Sequence, residues 1–276
     1  MKIAIIGDNH IFYGDQHQAV MEMMELIKLS KPDIVLNLGD IGEILIADDM
    51  SLVQELFSIK PTVFVLGNHD LYTRDGRYTP PEAFNECIKK IKYGIPLQKS
   101  WTDSTTTFEK DGYLFLGSIL FPDHASPKLP MSPEYYDHRY PTVDGTYIDL
   151  REGWLKYTTP LMEAFEKKLK LVDKSKCSNV VIITHYCCFE SQYRFNPNEE
   201  ISNYFFCYTA GQLVKQVAER NPDKNFYCIG AHGHEYNRGE CIKETDNLTV
   251  MGFVNNYNQQ KFIILEFPLC QKSCIY

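Results

Sequence analysis

The sequence predicts a layered α/β fold with added antiparallel β structure, and two observations predict it. Five short apolar, β-rich runs, IAIIGDNH, DIVLNLGD, TVFVLGNHD, NVVIITHY and NFYCIGAHGH, each reach Gly or Thr and pass at once to metal-ligand residue types. Continuous apolar runs bounded by glycine fit strands covered on both faces. Helical patterns separate these runs, and strand-helix-strand repetition implies right-handed crossovers between layers. In such sheets ligands sit beyond the carboxyl ends of the strands, where all five polar ends lie.

In chain order, the first run is followed by a helix over residues 15–29, striped by Val20, Met24 and Ile27. After the second and third runs, TTTFEKDGYLFLGSILF reads as a hairpin turning at residues 110–112. Residues 121–159 shift to proline, tyrosine and charge without clear periodicity. A connection that long is usually functional or disordered, and this one is too aromatic for a typical disordered linker. A second helix, striped by Leu161, Phe165, Leu169 and Val172, should open after Thr159 with Pro160 in its first turn. A third should begin with Thr209 and Gln212 at capping-box spacing and stop before Pro222. CIKE, LTVMGFV and KFIILEF read as further antiparallel strands, with NNYNQQ as a turn between the last two. No composition break divides the chain, so residues 1–276 are expected to form one domain, with 121–159 as an insert that caps the substrate.

Bulk properties narrow the function. The chain has 276 residues, 44% apolar and 23% charged, which is globular composition. Its net charge of −8 supplies no overall positive field for duplex DNA or an anionic membrane. The four apolar residues before Gly7 are too few for the core of a signal peptide, and no window approaches the roughly 18 of a membrane span. A cytoplasmic protein with no membrane contact is therefore expected. Nine cysteines, an odd number, then read as reduced and mostly buried thiols. Cys270 and Cys274 lack the second pair or the His that a zinc site would need.

The strand ends carry the chemistry. Five of the eight histidines (His10, His69, His185, His232 and His234) fall there, beside Asp8, Asp40, Asn68 and Asp70. Each has a bland explanation alone: a Gly-Asp after a strand is commonly a turn or helix cap, and a lone buried imidazole is commonly a satisfied core group. Independent caps have no reason to select imidazole five times at the same edge of one sheet. Convergence on a metal centre explains the set. Imidazole, carboxylate and amide oxygen suit Mn first, with Fe, Zn, Ni and Co also fitting, whereas thiolate is missing from the strand ends. Seven candidate ligands (Asp8, His10, Asp40, Asn68, His185, His232 and His234) are too many for one tetrahedral ion. Two divalent ions about 3.5–4 Å apart, sharing a carboxylate, would use them all. Such a pair lowers the pKa of a shared water, presents it as hydroxide and neutralises a phosphate for in-line attack. His69 then acquires a role other than ligation, protonating the departing oxygen or stabilising phosphate charge, and Asp70 next to it could orient the ring or equally serve as a simple helix or loop cap.

Asp8-x-His10, Gly39-Asp40, Gly67-Asn68-His69-Asp70, His185 and His232-x-His234 resemble, in that order, the five blocks of the calcineurin-like metallophosphoesterases. The resemblance implies an αββα sandwich with two central mixed sheets. It also implies one ion held by Asp8, His10, Asp40 and His234 and a second by Asp40, Asn68, His185 and His232, with Asp40 bridging. The last block departs from the pattern with Ala231 where Gly is usual and Gly233 where Thr or Ser is commoner. GDIGE lacks the Asp-Arg-Gly extension of the Ser/Thr protein phosphatases, and Asp70 stands where that branch has Glu, so that branch is disfavoured. A phosphodiester or nucleotide-type substrate is expected, with single-stranded nucleic acid or a phosphomonoester as alternatives. A metal-binding interaction module on the same fold is the non-enzymatic alternative. Substrate contacts are expected from Tyr136, His138 and Arg139 in the insert, where cations stand among aromatic rings, and from Arg74 and Arg194 on rim segments after metal blocks.

Overall fold

The computed structural model describes the chain except for residues 13, 15, 73–77, 124–149, 195–206, 256–259, 268–273 and 276. Twelve strands form two six-stranded mixed sheets. In the first, β1 (Lys2–Ile6), β2 (Ile34–Asn37), β3 (Thr62–Phe64) and β4 (Ile95–Pro96) run parallel, and β11 (Ile263–Glu266) and β12 (Cys274–Ile275) add an antiparallel edge beside β1. In the second, β6 (Tyr113–Ser118), β7 (Asn179–Tyr186), β8 (Asn225–Ala231) and β10 (Leu248–Gly252) are parallel neighbours. β5 (Phe108–Lys110) and β9 (Cys241–Lys243) flank them antiparallel.

The alternation of side chains along β1 explains the layers. Ile3 and Ile5 join a core between the two sheets, with Leu36, Val63, Phe115, Val181, Ile183 and Ile229. Ala4 and Ile6 face the other way, against α1 (His17–Ser30), α2 (Ser51–Ser58) and α3 (Pro80–Lys90). On the far side, Leu114, Leu116, Val180, Ile182 and Phe226 pack against α4 (Leu150–Leu169) and α5 (Tyr208–Arg220). Both faces of each central strand are thus buried, which is why these strands read as unbroken apolar runs. The result is the four-layer αββα sandwich.

Several local expectations are corrected. The polar strand ends do not share one sheet: β1, β2 and β3 belong to the first and β7 and β8 to the second. The final strands are not uniformly antiparallel, since β10 runs parallel to β8, and β11 crosses to the other sheet. α4 begins ten residues earlier than expected and carries Pro160 inside it. Proline removes the N–H that would close on Lys156 O, and at the next residue Trp101 Nε1 donates to Tyr157 O at 2.9 Å. α5 starts at Tyr208, so Thr209 lies within its first turn and caps nothing. The Asp123 carboxylate, 85 residues away, accepts the N–H groups of Tyr208 (3.0 Å) and Thr209 (2.6 Å) instead.

The hairpin is where it was expected: Lys110 pairs with Tyr113 across Asp111 and Gly112, both at positive φ as a type I′ turn requires. Cys87, Cys177, Cys187, Cys188, Cys207 and Cys228 are free and buried. Among the described residues, no helix is long and apolar enough to cross a membrane.

Candidate metal centre

The β1 and β2 ends stay paired beyond the strands. Asp8 N–H donates to Gly39 O (2.9 Å), His10 N–H to Asp40 O (3.0 Å) and Ile11 N–H to Ile41 O (3.0 Å). Asp8, His10 and Asp40 therefore stand on a hydrogen-bonded extension of the sheet rather than on a loose loop. Across the centre, Asp40 Oδ1 accepts His69 N–H (2.8 Å) and Asp8 Oδ1 accepts His232 N–H (3.2 Å). Gly67 is fixed by this packing, because a Cβ there would lie 2.1 Å from Asp40 Oδ1.

The backbone is strained where the site is built. Asp8, His10, Asp40, His232 and His234 have φ of 49°, 43°, 48°, 64° and 48°. A non-glycine residue in that region costs on the order of 1–3 kcal/mol and persists only where its surroundings over-determine it. β7 contributes an irregularity as well. Ile183 pairs with Ile229, yet Tyr186 pairs with Ala231, so two β7 residues, Thr184 and His185, oppose the single Gly230. The extra residue re-aims His185, as bulges beside binding sites do.

Among the described residues, three groups of side chains bring ligand atoms within 4.8 Å of one another: Asp8, His10 and His234; His10, Asp40 and His69; and Asp40, His185 and His232. His185 is the hub of the last group. Its Nδ1 lies 3.0 Å from Leu38 O, and a carbonyl can only accept, so Nδ1 carries the hydrogen. Nε2 then faces Asn68 Oδ1 (2.9 Å), His232 Nδ1 (3.2 Å) and Asp40 Oδ2 (3.3 Å). Two of these, Asn68 Oδ1 and Asp40 Oδ2, are acceptors facing one ring nitrogen, and a cation between them, either a proton or a metal, satisfies all three. Burial opposes a proton on His185, but the Asp40 and Asp8 carboxylates outweigh it and raise its pKa to about 9. Asp40 Oδ2 also lies 3.7 Å from His10 Nε2, so this carboxylate stands between the two groups.

The remaining electrostatics follow the same geometry. Burial of Asp40 is overcome by His185, His69 and His10, which hold its carboxyl well below the usual range. Burial lowers His10 to about 3 despite Asp40, and pushes the Asp8 carboxyl up despite His234 and His185. Asp8 Oδ2 is buried and accepts no hydrogen bond from the described residues. An orphaned carboxylate oxygen among imidazoles and an amide oxygen fits a divalent cation of the Mn, Fe, Zn, Ni or Co type.

His69 packs edge-on against His10, with ring centroids 4.7 Å apart, and faces Tyr72 at 6.3 Å with the planes 17° apart. Its Nδ1 is buried without a hydrogen-bond partner among the described residues. Asp70 does not orient this ring. It is fully buried, its Oδ1 accepts Gly42 N–H (2.9 Å) and its Oδ2 accepts Gly67 N–H (2.8 Å). The carboxylate ties the Asp40 loop to the Asn68 loop, and burial together with the nearby Asp40 charge raises its pKa to about 8.

Gly233, unusual for its block, has a local cause. A Cβ there would lie 2.2 Å from Asn237 Oδ1 and 2.5 Å from the Tyr193 ring. Asn237 fills that space because its Nδ2 donates to Ala231 O (3.1 Å) and Phe253 O (2.6 Å). Tyr186, not singled out from the sequence, is fully buried with its ring 3.9 Å from that of His232. Its place directly after His185 was the available signal. Arg194 Nη2 donates to Arg238 O (3.1 Å) and its N–H donates to Tyr236 O (2.8 Å), which ties it to the turn carrying His234. Arg74, Tyr136, His138 and Arg139 lie outside the described residues.

The calcineurin-like phosphoesterase family matches residues 1–236, a span that ends before β9. Among solved structures, phosphopantetheinyl hydrolase from Mycobacterium tuberculosis aligns with a TM-score of 0.60 at 12% identity, covering 94% of this chain and 95% of that one. A dimetal phosphatase from Danio rerio aligns with a TM-score of 0.50 at 11% identity, covering 96% and 91%. No curated protein matches the sequence. At these identities the structural likeness is one of fold.

Proposed function

The chain belongs to the calcineurin-like phosphoesterase family, metal-dependent hydrolases of phosphoester bonds, and from that premise we propose that it cleaves a phosphodiester or nucleotide-type phosphoester. Asp8, His10, Asp40 and His234 would hold one divalent ion, and Asp40, Asn68, His185 and His232 the other. The observation that carries this division is the position of Asp40, whose Oδ2 lies 3.3 Å from His185 Nε2 and 3.7 Å from His10 Nε2. Bound there, two ions supply Lewis acidity that activates water and neutralises the phosphate. Mn²⁺ is the first candidate, since carboxylate and amide oxygen accompany the imidazoles.

The chain's own groups do the rest. His69 stands beside His10 with an unsatisfied ring nitrogen and is assigned to the departing oxygen, which it protonates, or to the phosphate charge. Asp70 keeps the two loops in register through the N–H groups of Gly42 and Gly67 and is assigned a structural part. The net charge of −8 favours a small soluble substrate over a long polyanion.

Two measurements test this reading. Ligation must displace the proton that His185 holds below about 9, so Mn²⁺ binding is expected to tighten about tenfold per pH unit from pH 6 to 8 in calorimetric titrations. A pH-independent affinity would show that His185 holds no proton for the ion to displace over this range. Second, Mn²⁺-loaded protein is offered cyclic nucleotides, dinucleotides, a phosphopantetheinyl ester, phosphomonoesters and single-stranded oligonucleotides. Chelator-sensitive turnover highest on a diester or nucleotide is expected. No metal-dependent turnover of any of them by folded protein would overturn the reading in favour of an interaction module.

A further inference from the structure

The backbone that carries Asp8 and His10 is held along both edges. On one edge its N–H groups donate to the loop after β2. On the other, three successive carbonyls accept side-chain amides from beyond residue 236: Asn255 Nδ2 donates to Gly7 O (2.9 Å) and Asp8 O (3.1 Å), and Gln260 Nε2 donates to Asn9 O (3.0 Å). Gln260 Oε1 in return accepts Asn9 Nδ2 at 2.9 Å, closing a reciprocal pair. Asn255 is fully buried, and its Oδ1 accepts Lys261 N–H (3.0 Å), which fixes which way its amide points. The pairing of β1 with β11 sets up this contact. Lys2 faces Glu266 and Ile5 faces Ile263, and the same register carried onward brings Gln260 opposite Asp8.

We infer that Asn255 and Gln260 are positioning residues that hold the backbone of residues 7–9 so that Asp8 and His10 turn their ligand atoms toward one ion. The inference rests on the ligand roles proposed above. Asp8 and His10 sit in left-handed backbone, which relaxes to ordinary conformations unless its peptide groups are tied down. A primary amide suits the task because its two hydrogens satisfy two carbonyls at once, whereas a carboxylate in its place offers none. The carbonyls they hold, of Gly7, Asp8 and Asn9, lie on the segment that carries Asp8 and His10, which are assigned to the first ion alone. The effect of loosening the clasp is therefore one-sided.

The test is Mn²⁺ titration of wild-type protein and the Asn255→Asp variant by calorimetry and metal analysis, with circular dichroism to verify folding. Wild type is expected to take up two ions. Asn255→Asp is expected to keep one tight ion and to bind the other about 10–100-fold more weakly, the usual effect of losing a group that orients a ligand. Retention of the tight ion is the readout that a general loss of structure would not give. Should Asn255→Asp fail to fold, Gln260→Ala releases both bonds to Asn9 and those to Gln16 and Asn255, at the partly exposed end of the clasp, while Asn255 keeps Gly7 O and Asp8 O, and is expected to weaken the same single ion about tenfold. Two ions of unchanged affinity in a folded variant, or equal weakening of both, would overturn the positioning role and leave the ligand assignment standing. A wild-type protein that binds no ion would overturn both.

Discussion

Asp40→Asn is expected to yield a folded protein that retains neither ion and whose kcat/KM falls at least about 10³-fold. The size follows from what the carboxylate does. A metal pair contributes several kcal/mol of charge stabilisation to phosphoryl transfer, and each 1.4 kcal/mol is tenfold in rate. Asparagine preserves shape and can still accept the His69 N–H that Asp40 Oδ1 now takes at 2.8 Å, so the loops should keep their course. What disappears is the charge between two imidazole groups. Asp40 is the largest of the influences that raise the His185 pKa to about 9, and without it that pKa is expected to fall in the metal-free protein. Metal analysis after gel filtration and NMR titration of the His185 ring read the two effects separately. A variant that keeps both ions would show that Asp40 does not join the two groups.

His69→Ala should do the opposite: metal content unchanged and kcat reduced about 10²–10⁴-fold, the range for loss of a general acid. The alternative is concrete, because His69 also lies within ligand distance of His10 and Asp40. Loss of an ion in this variant would make it a ligand. A substrate series sharpens the assignment. If His69 protonates the departing oxygen, an ester of an acidic phenol, which leaves unassisted, should lose little of its rate, while an alkyl ester should lose nearly the whole factor. Equal losses across the series would place the ring on phosphate charge instead.

The ligand loops were legible in the sequence because each follows a buried strand whose apolar run is unmistakable and whose polar end has no local excuse. Their division between two sheets was not, since NVVIITHY and IAIIGDNH read alike whichever sheet they join. Long-range partners escaped for the same reason: Asp123 caps α5 from 85 residues away, and Asn255 reaches Gly7 across 248, with no pattern in either neighbourhood. Asp70 read equally well as a companion of His69 or as a loop cap, and its bonds to Gly42 and Gly67 fit the second, since adjacent residues on a short helical turn point apart. α3 was legible and overlooked, for Thr79, Pro80 and Glu82 form the capping box that opens it. Lys168 lies in a helical stripe yet is fully buried, its ammonium donating to Leu97 O and to Gly117 O (3.1 Å), one carbonyl beside each sheet. Burial, partly offset by Asp103, lowers its pKa to about 8. Nothing local distinguishes it from a solvated lysine.

The five left-handed residues at the strand ends set a condition on how this protein can change over generations. Their combined strain is of the same order as the whole net stability of a typical domain, so the sandwich around them must be sturdier than a fold with relaxed loops would need to be. Any mutation that lets one of these loops fall back to ordinary backbone stabilises the metal-free chain while dismantling its chemistry. Drift toward an inert scaffold is therefore energetically downhill, and activity survives only as long as selection for turnover outweighs the gain in foldedness.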